Sequence, residues 1–181
     1  MRSKLPPPGR MLPFVLVFFS MLPTTILVPF QREIVEQHGG DPRSSALFVS
    51  LTMLGLFVLS PAAGFIMDRI RQKNLVLAAF SFLNGASFLW ILLSDSLESL
   101  LSARFFEGAT FAFVIGPLMA RAGAESEERG GRMAMAGLLL ALGAALGMPL
   151  GGWLGNERTA ILSACAVMAG VGLLSLYLKG D

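Results

Sequence analysis

The chain has 181 residues, 54% hydrophobic and only 14% charged, with a formal net charge of +2 and a mean hydropathy of +0.68. Soluble domains carry about a quarter charged residues, so a soluble enzyme, a secreted disulfide scaffold and a nucleic-acid-binding module are excluded. The single cysteine, Cys165, lies in an apolar stretch and supplies neither a disulfide nor a metal framework.

A tail over residues 1–10 precedes the first apolar run, residues 11–30, which contains Pro13, Pro23 and Pro29. No small-residue cleavage site follows it, so it reads as a span and not as a signal peptide. Further runs cover residues 46–67, 75–93, 97–120, 133–154 and 160–178. The turn from Ser94 to Leu97 is so short that the third and fourth runs must be antiparallel. Each run is about 20 residues, the length of a helix that crosses hydrocarbon. None alternates apolar with polar positions as a barrel strand would. The expected fold class is an all-α membrane protein with six transmembrane helices.

An even number of spans puts both termini on one side. That side holds ten of the lysines and arginines: Arg2, Lys4, Arg10, Arg69, Arg71, Lys73, Arg121, Arg129, Arg132 and Lys179. The opposite loops hold Arg32, Arg43 and Arg158, while Arg104 falls inside a span. Positive charge is retained in the cytoplasm during insertion, so both termini are expected there, with the protein in the cell (inner) membrane.

Ionisable groups within hydrocarbon are costly and each asks for a reason. Arg104 and Glu107, three residues apart in the fourth span, share a face and can pair. One reading is a self-neutralising ion pair near the outer interface. The other is a proton or substrate relay, for which Glu107→Gln should abolish coupling while leaving the protein folded. Thr24, Thr25 and Asn84 either satisfy backbone groups freed by proline or line a cavity. His38 reads as a solvated loop histidine, and Glu125, Glu127, Glu128 and Arg129 as a solvated connection. The loop Asp68-Arg69-Ile70-Arg71-Gln72-Lys73 anchors the second span by its charge. Gly64 would let that span approach a neighbour, and Asp68 at the helix end can meet the positive N-terminus of another helix. Gly143, Gly147, Gly151 and Gly152 repeat small residues at the spacing that lets helices pack closely in lipid. No phosphate loop, zinc-type spacing or nucleophile elbow occurs, so no catalysis, cofactor or metal is expected.

Three of these segments resemble motifs of the major facilitator superfamily of secondary transporters. Gly64 to Lys73 follows the family's G-x-L-A-D-R-x-G-R-K at Gly64, Asp68, Arg69 and Lys73, with Arg71 and Gln72 departing from it. Arg104 and Gly108 meet the span-four R-x-x-x-G, with Glu107 where glutamine is common. Gly143, Gly147, Gly151 and Gly152 keep the spacing of the span-five G-x-x-x-G-P-x-x-G-G of drug/proton antiporters, with the proline displaced by one place to Pro149. Glu128-Arg129-Gly130 and Met133-Ala134-Met135 are similar to the family's approach to span five.

The resemblance implies the first half of a twelve-span transporter, built from two inverted three-helix repeats. It implies that Gly64, Asp68, Arg69 and Lys73 form a conformational loop in which Asp68 clasps the second half. Spans one and four would line the solute path. Span five would pack against the other half, so that Gly147→Leu should weaken assembly. The expected activity is transport of a small solute, proton-coupled and leaning to efflux, once a second six-helix half is paired from the same or a sister chain. The alternative is a non-transporting structural or assembly subunit that keeps the fold. Six spans ending at Lys179-Gly180-Asp181 are expected to be either a fragment or a complete half.

Overall fold

The structure, a computed structural model, describes residues 8–123 and 129–178. Arg2, Lys4, the acidic run at Glu125, Glu127 and Glu128, and Lys179 to Asp181 lie outside the described residues. Helix α1 covers Pro8–Ile26, a 3-10 turn covers Val28–Phe30, and α2 covers Gln31–Gln37. The remaining helices are α3 (Pro42–Arg69), α4 (Lys73–Leu92), α5 (Leu97–Gly123), α6 (Arg129–Leu154) and α7 (Glu157–Ser175). Among the described residues the fold is all-α, and six helical segments are long and apolar enough to cross a bilayer.

The first span runs to Gln37 rather than to residue 30. Pro29 sits at the start of the 3-10 turn and contributes no N–H, so the α ladder breaks there. The chain then resumes as α2 and carries Arg32 within a helix instead of a loop. Arg32 Nε pairs with Glu36 Oε1 at 2.6 Å, one turn apart on the exposed face. Helix α2 ends in a Schellman arrangement: Gly39, at φ +75°, donates to Glu36 O and Gly40 donates to Val35 O. Asp41 then caps α3 by accepting from Ser44 N at 2.8 Å, with Pro42 in the first turn. Asn156 caps α7 in the same way through Thr159 N.

His38 is not the solvated residue its loop position suggested. Its ring is half-buried, with Nδ1 2.6 Å from Ile34 O and Nε2 2.8 Å from Ser94 O. It therefore bridges the end of α2 to the α4–α5 turn. No sequence pattern links residues that far apart, so only the packed bundle reveals this contact.

The most extensive helix pairings are α3 with α5, α1 with α6 and α4 with α7. Counted as spans, these are two with four, one with five and three with six. Exchanging one with four, two with five and three with six maps the pairings onto themselves. That exchange relates two three-helix repeats. Three crossings are an odd number, so the second repeat enters from the opposite face and the topology is inverted. Lipid tails are as apolar as leucine, so close backbone packing and internal hydrogen bonds hold such a bundle together. Leu16, Val17, Leu77, Phe88, Leu100 and Met168 fill the shared interior.

Both ends of the described part of the chain, at α1 and at Leu178, reach one end of the bundle. Arg132, in α6, donates from Nε to Ala122 O at 2.8 Å and lies over the Phe14 ring of α1. Asn74, at the start of α4, donates to Leu178 O at 2.6 Å.

Candidate functional site

Arg104 and Glu107 do pair, and the surrounding helices enclose the pair. Arg104 Nη1 lies 2.5 Å from Glu107 Oε2, with the two side chains 2% and 0% exposed. Arg104 Nε donates to Phe48 O at 3.1 Å, and its guanidinium lies 4.4 Å from the Phe48 ring centroid. Glu107 Oε1 accepts from Thr24 Oγ1 of α1 at 3.0 Å. Its Oε2 also accepts from Thr52 Oγ1 of α3 at 3.1 Å. One carboxylate thus gathers α1, α3 and α5. A buried charge is tolerated only when its partners and hydrogen bonds are supplied, and here each carboxylate oxygen has a donor.

Thr24 and Asn84 serve this cluster. Pro23 frees the carbonyl four residues before it, that of Phe19, yet Thr24 donates to Glu107 instead. Asn84 Nδ2 donates to Glu107 O at 2.7 Å and to Thr110 Oγ1 at 3.0 Å, which draws α4 against α5. Thr25 bonds back to Leu22 O at 3.2 Å within its own helix. Thr52 escaped the sequence analysis because a lone threonine in an apolar run carries no motif. The available signal was its middle position in the most apolar stretch of α3.

Gly108, grouped by sequence with the relay, is a packing residue. A Cβ there would overlap Thr52 O of α3. Its counterpart Gly55, absent from every motif, lies against Phe105 O and Ala109 N of α5. Together they set the close approach of α3 and α5.

The span-five glycines divide into two groups. Gly143, Gly147 and Gly151 face α1, where added Cβ atoms would meet Phe18 O, Leu22 O and Ile26 O respectively. This stripe is filled from within the same six helices, so the expectation that Gly147 touches a second half is corrected. Gly152 has open space around it and Pro149 is exposed.

In the last turn of α3, Asp68 and Arg69 are exposed, and Arg69 lies 3.8 Å over the Phe65 ring. Asp68 makes no ion pair or hydrogen bond with the described residues. A Cβ at Gly64 would meet nothing, so no neighbour occupies the close approach expected there. Gly64 and Asp68 instead border a crevice of about 190 Å³ against Gly116 and Pro117 of α5. Lys73 opens α4 on the far side of the loop.

The family model of the Major Facilitator Superfamily matches residues 14–181. The chain belongs to this superfamily. A search of curated proteins gave no match. Membership makes the chain an integral membrane protein of a transporter family, not an enzyme family, and assigns it to the transport of a small solute. Among the described residues, no group of three or more metal-ligating side chains could hold an ion.

Proposed function

We propose that this chain is one half of a secondary transporter, and that it moves a small solute by rocking against a second six-helix half. The observation that carries this reading is the uneven cover of the spans. The most apolar windows of α3 and α6 are only 22% and 17% buried, against 61% and 56% for the first span and α5. Exposed residues such as Phe57, Val58 and Phe65 on α3, and Leu138, Leu142 and Trp153 on α6, form two apolar faces. By the exchange that relates the repeats, these two helices are equivalents of one another, as a two-sided contact with a second body requires. The second half comes from a copy, a sister chain or the same polypeptide.

The end of the bundle that holds Arg69, Arg71, Lys73, Arg121 and Arg132 is assigned to the cytoplasm, with both termini, by its excess of positive charge. Asp68 is placed to clasp a helix of the second half across the crevice it shares with Gly64 and Gly116. Met11, Val15 and Phe19 form the exposed stripe of α1, which supports an apolar solute. The glycine pattern of α6 supports proton-coupled efflux. The complete burial of Glu107 favours Arg104–Glu107 as a clamp that holds α1, α3 and α5 together, with protons carried elsewhere.

The test is cysteine cross-linking from Phe57 and Trp153 in native membranes, followed by reconstitution of the captured assembly. Recovery of a six-helix partner, and solute-dependent movement of protons into dye-loaded vesicles, is the expected result. Capture of unrelated chains with no solute-dependent flux overturns transport in favour of an assembly subunit.

A further inference from the structure

At the end of the bundle that carries the α3–α4 loop, a crevice of about 570 Å³ is lined by Arg71, Lys73, Asn74, Leu75, Arg121 and Leu176, among others. Its walls come from the start of α4, the last turn of α5 and the residue after α7. Three cations converge on it, and among the described residues no carboxylate lines it. The N-terminus of α4 adds the positive end of a 20-residue helix. Asn74 is held by its bond to Leu178 O, while its Oδ1 is buried without a hydrogen-bond partner. Leu75 and Leu176, at the same crevice, are 57% and 47% exposed.

We propose that this crevice binds the headgroup of an anionic phospholipid. The phosphate lies among Arg71, Lys73 and Arg121, and an acyl chain runs along Leu75 and Leu176. Lys73 and Arg121 also engage other groups of the chain, so the headgroup joins an existing polar arrangement. The inference rests on the six-span architecture and is independent of whether the protein transports anything. A free phosphate would meet the same cations but would gain nothing from the two exposed leucines. A lipid uses both chemistries at once, and that selects it.

The experiment is native mass spectrometry of the full chain in mild detergent, titrated with phosphatidylglycerol, phosphatidylcholine or inorganic phosphate. Phosphatidylglycerol should be retained in preference to phosphatidylcholine. Because each cation near a lipid surface contributes on the order of a five-fold gain in binding, Arg71→Gln should lower affinity about five-fold and Arg71→Gln with Arg121→Gln about 25-fold. Arg71 is exposed, so its replacement leaves packing intact. Leu75→Ser should weaken the lipid alone, and Arg43→Gln at the opposite end should change nothing. Equal retention of the two lipids, or an equal loss from Arg43→Gln, overturns the site. Phosphate that binds as tightly as phosphatidylglycerol, with no effect of Leu75→Ser, overturns the lipid and leaves a free-anion site.

Discussion

Arg104 Nη1 and Glu107 Oε2 lie 2.5 Å apart in the interior of the bundle, and neither side chain reaches the surface. Removing one partner strands the other, because a buried guanidinium has no water to replace its counter-charge. Glu107→Leu is therefore expected to destabilise the protein by about 3–5 kcal/mol. The double variant Arg104→Met with Glu107→Leu removes both charges and should recover most of that loss. Thermal unfolding in detergent of the two single variants and the double one measures the coupling, and strictly additive losses would refute a clamp.

The glycines of α6 separate packing from interface. Gly151→Ala places a methyl onto Ile26 O, and Gly108→Ala places one onto Thr52 O; each should cost about 1–3 kcal/mol by overpacking. Gly147→Leu should force α1 and α6 apart within the six helices. Gly152→Ala meets open space and should be neutral or stabilise by up to about 1 kcal/mol through helix propensity. Unfolding midpoints decide this, and a Gly152 variant as damaged as the Gly151 one would contradict the assigned faces.

His38→Ala removes both contacts that tie α2 to the α4–α5 turn. An imidazole with one N–H donates to one of these two carbonyls at a time, and that hydrogen bond should be worth about 1 kcal/mol. Amide exchange should accelerate locally, at Ser94 to Leu97 and at the end of α2, with the centre of α5 unchanged.

Asp41 makes the start of α3 sensitive to acid. The backbone N–H of Ser44, and then its hydroxyl, donate to the carboxylate and hold it below the ordinary 3.8. A depressed folded-state value means the cap contributes fully above that ordinary value and is lost as pH falls through the lower one. The first turn of α3 should fray in strong acid, and Asp41→Asn should abolish that dependence while keeping the cap. The Asn156 cap of α7 serves as a pH-independent control. Exchange rates at Ser44 and Thr159 across the acid range provide the comparison.

Asp68 is exposed and unpaired with any described residue, so Asp68→Asn should insert and fold normally. If the acid clasps a second half, the assembled transporter should bind solute yet cycle at least about ten-fold more slowly, an order-of-magnitude expectation for one lost charge-assisted contact near 1.4 kcal/mol. An unchanged turnover would reduce Asp68 to a helix terminus.

The pairing of Arg104 with Glu107 was legible because three-residue spacing puts both on one helix face whatever the fold. Its enclosure was not, since burial depends on which helices close around it, and Thr24 and Thr52 come from 83 and 55 residues away. The first apolar run, residues 11–30, stops where polar residues begin at Gln31. The chain re-forms a helix one turn later, since Gln31 to Gln37 can pair Arg32 with Glu36 and pack Ile34 and Val35 inward.

Sequence by itself determined the solvent, the all-α class and the six runs long enough to cross. Hydrocarbon accepts only backbones that satisfy their own hydrogen bonds, so six apolar runs of this length can hardly be anything but helices. The tertiary structure alone decided which glycine faces which helix, and that the carboxylate of Glu107 is a shared interior anchor. Small residues at regular spacing fix that a close contact occurs, but the identity of the partner is a property of the packed bundle.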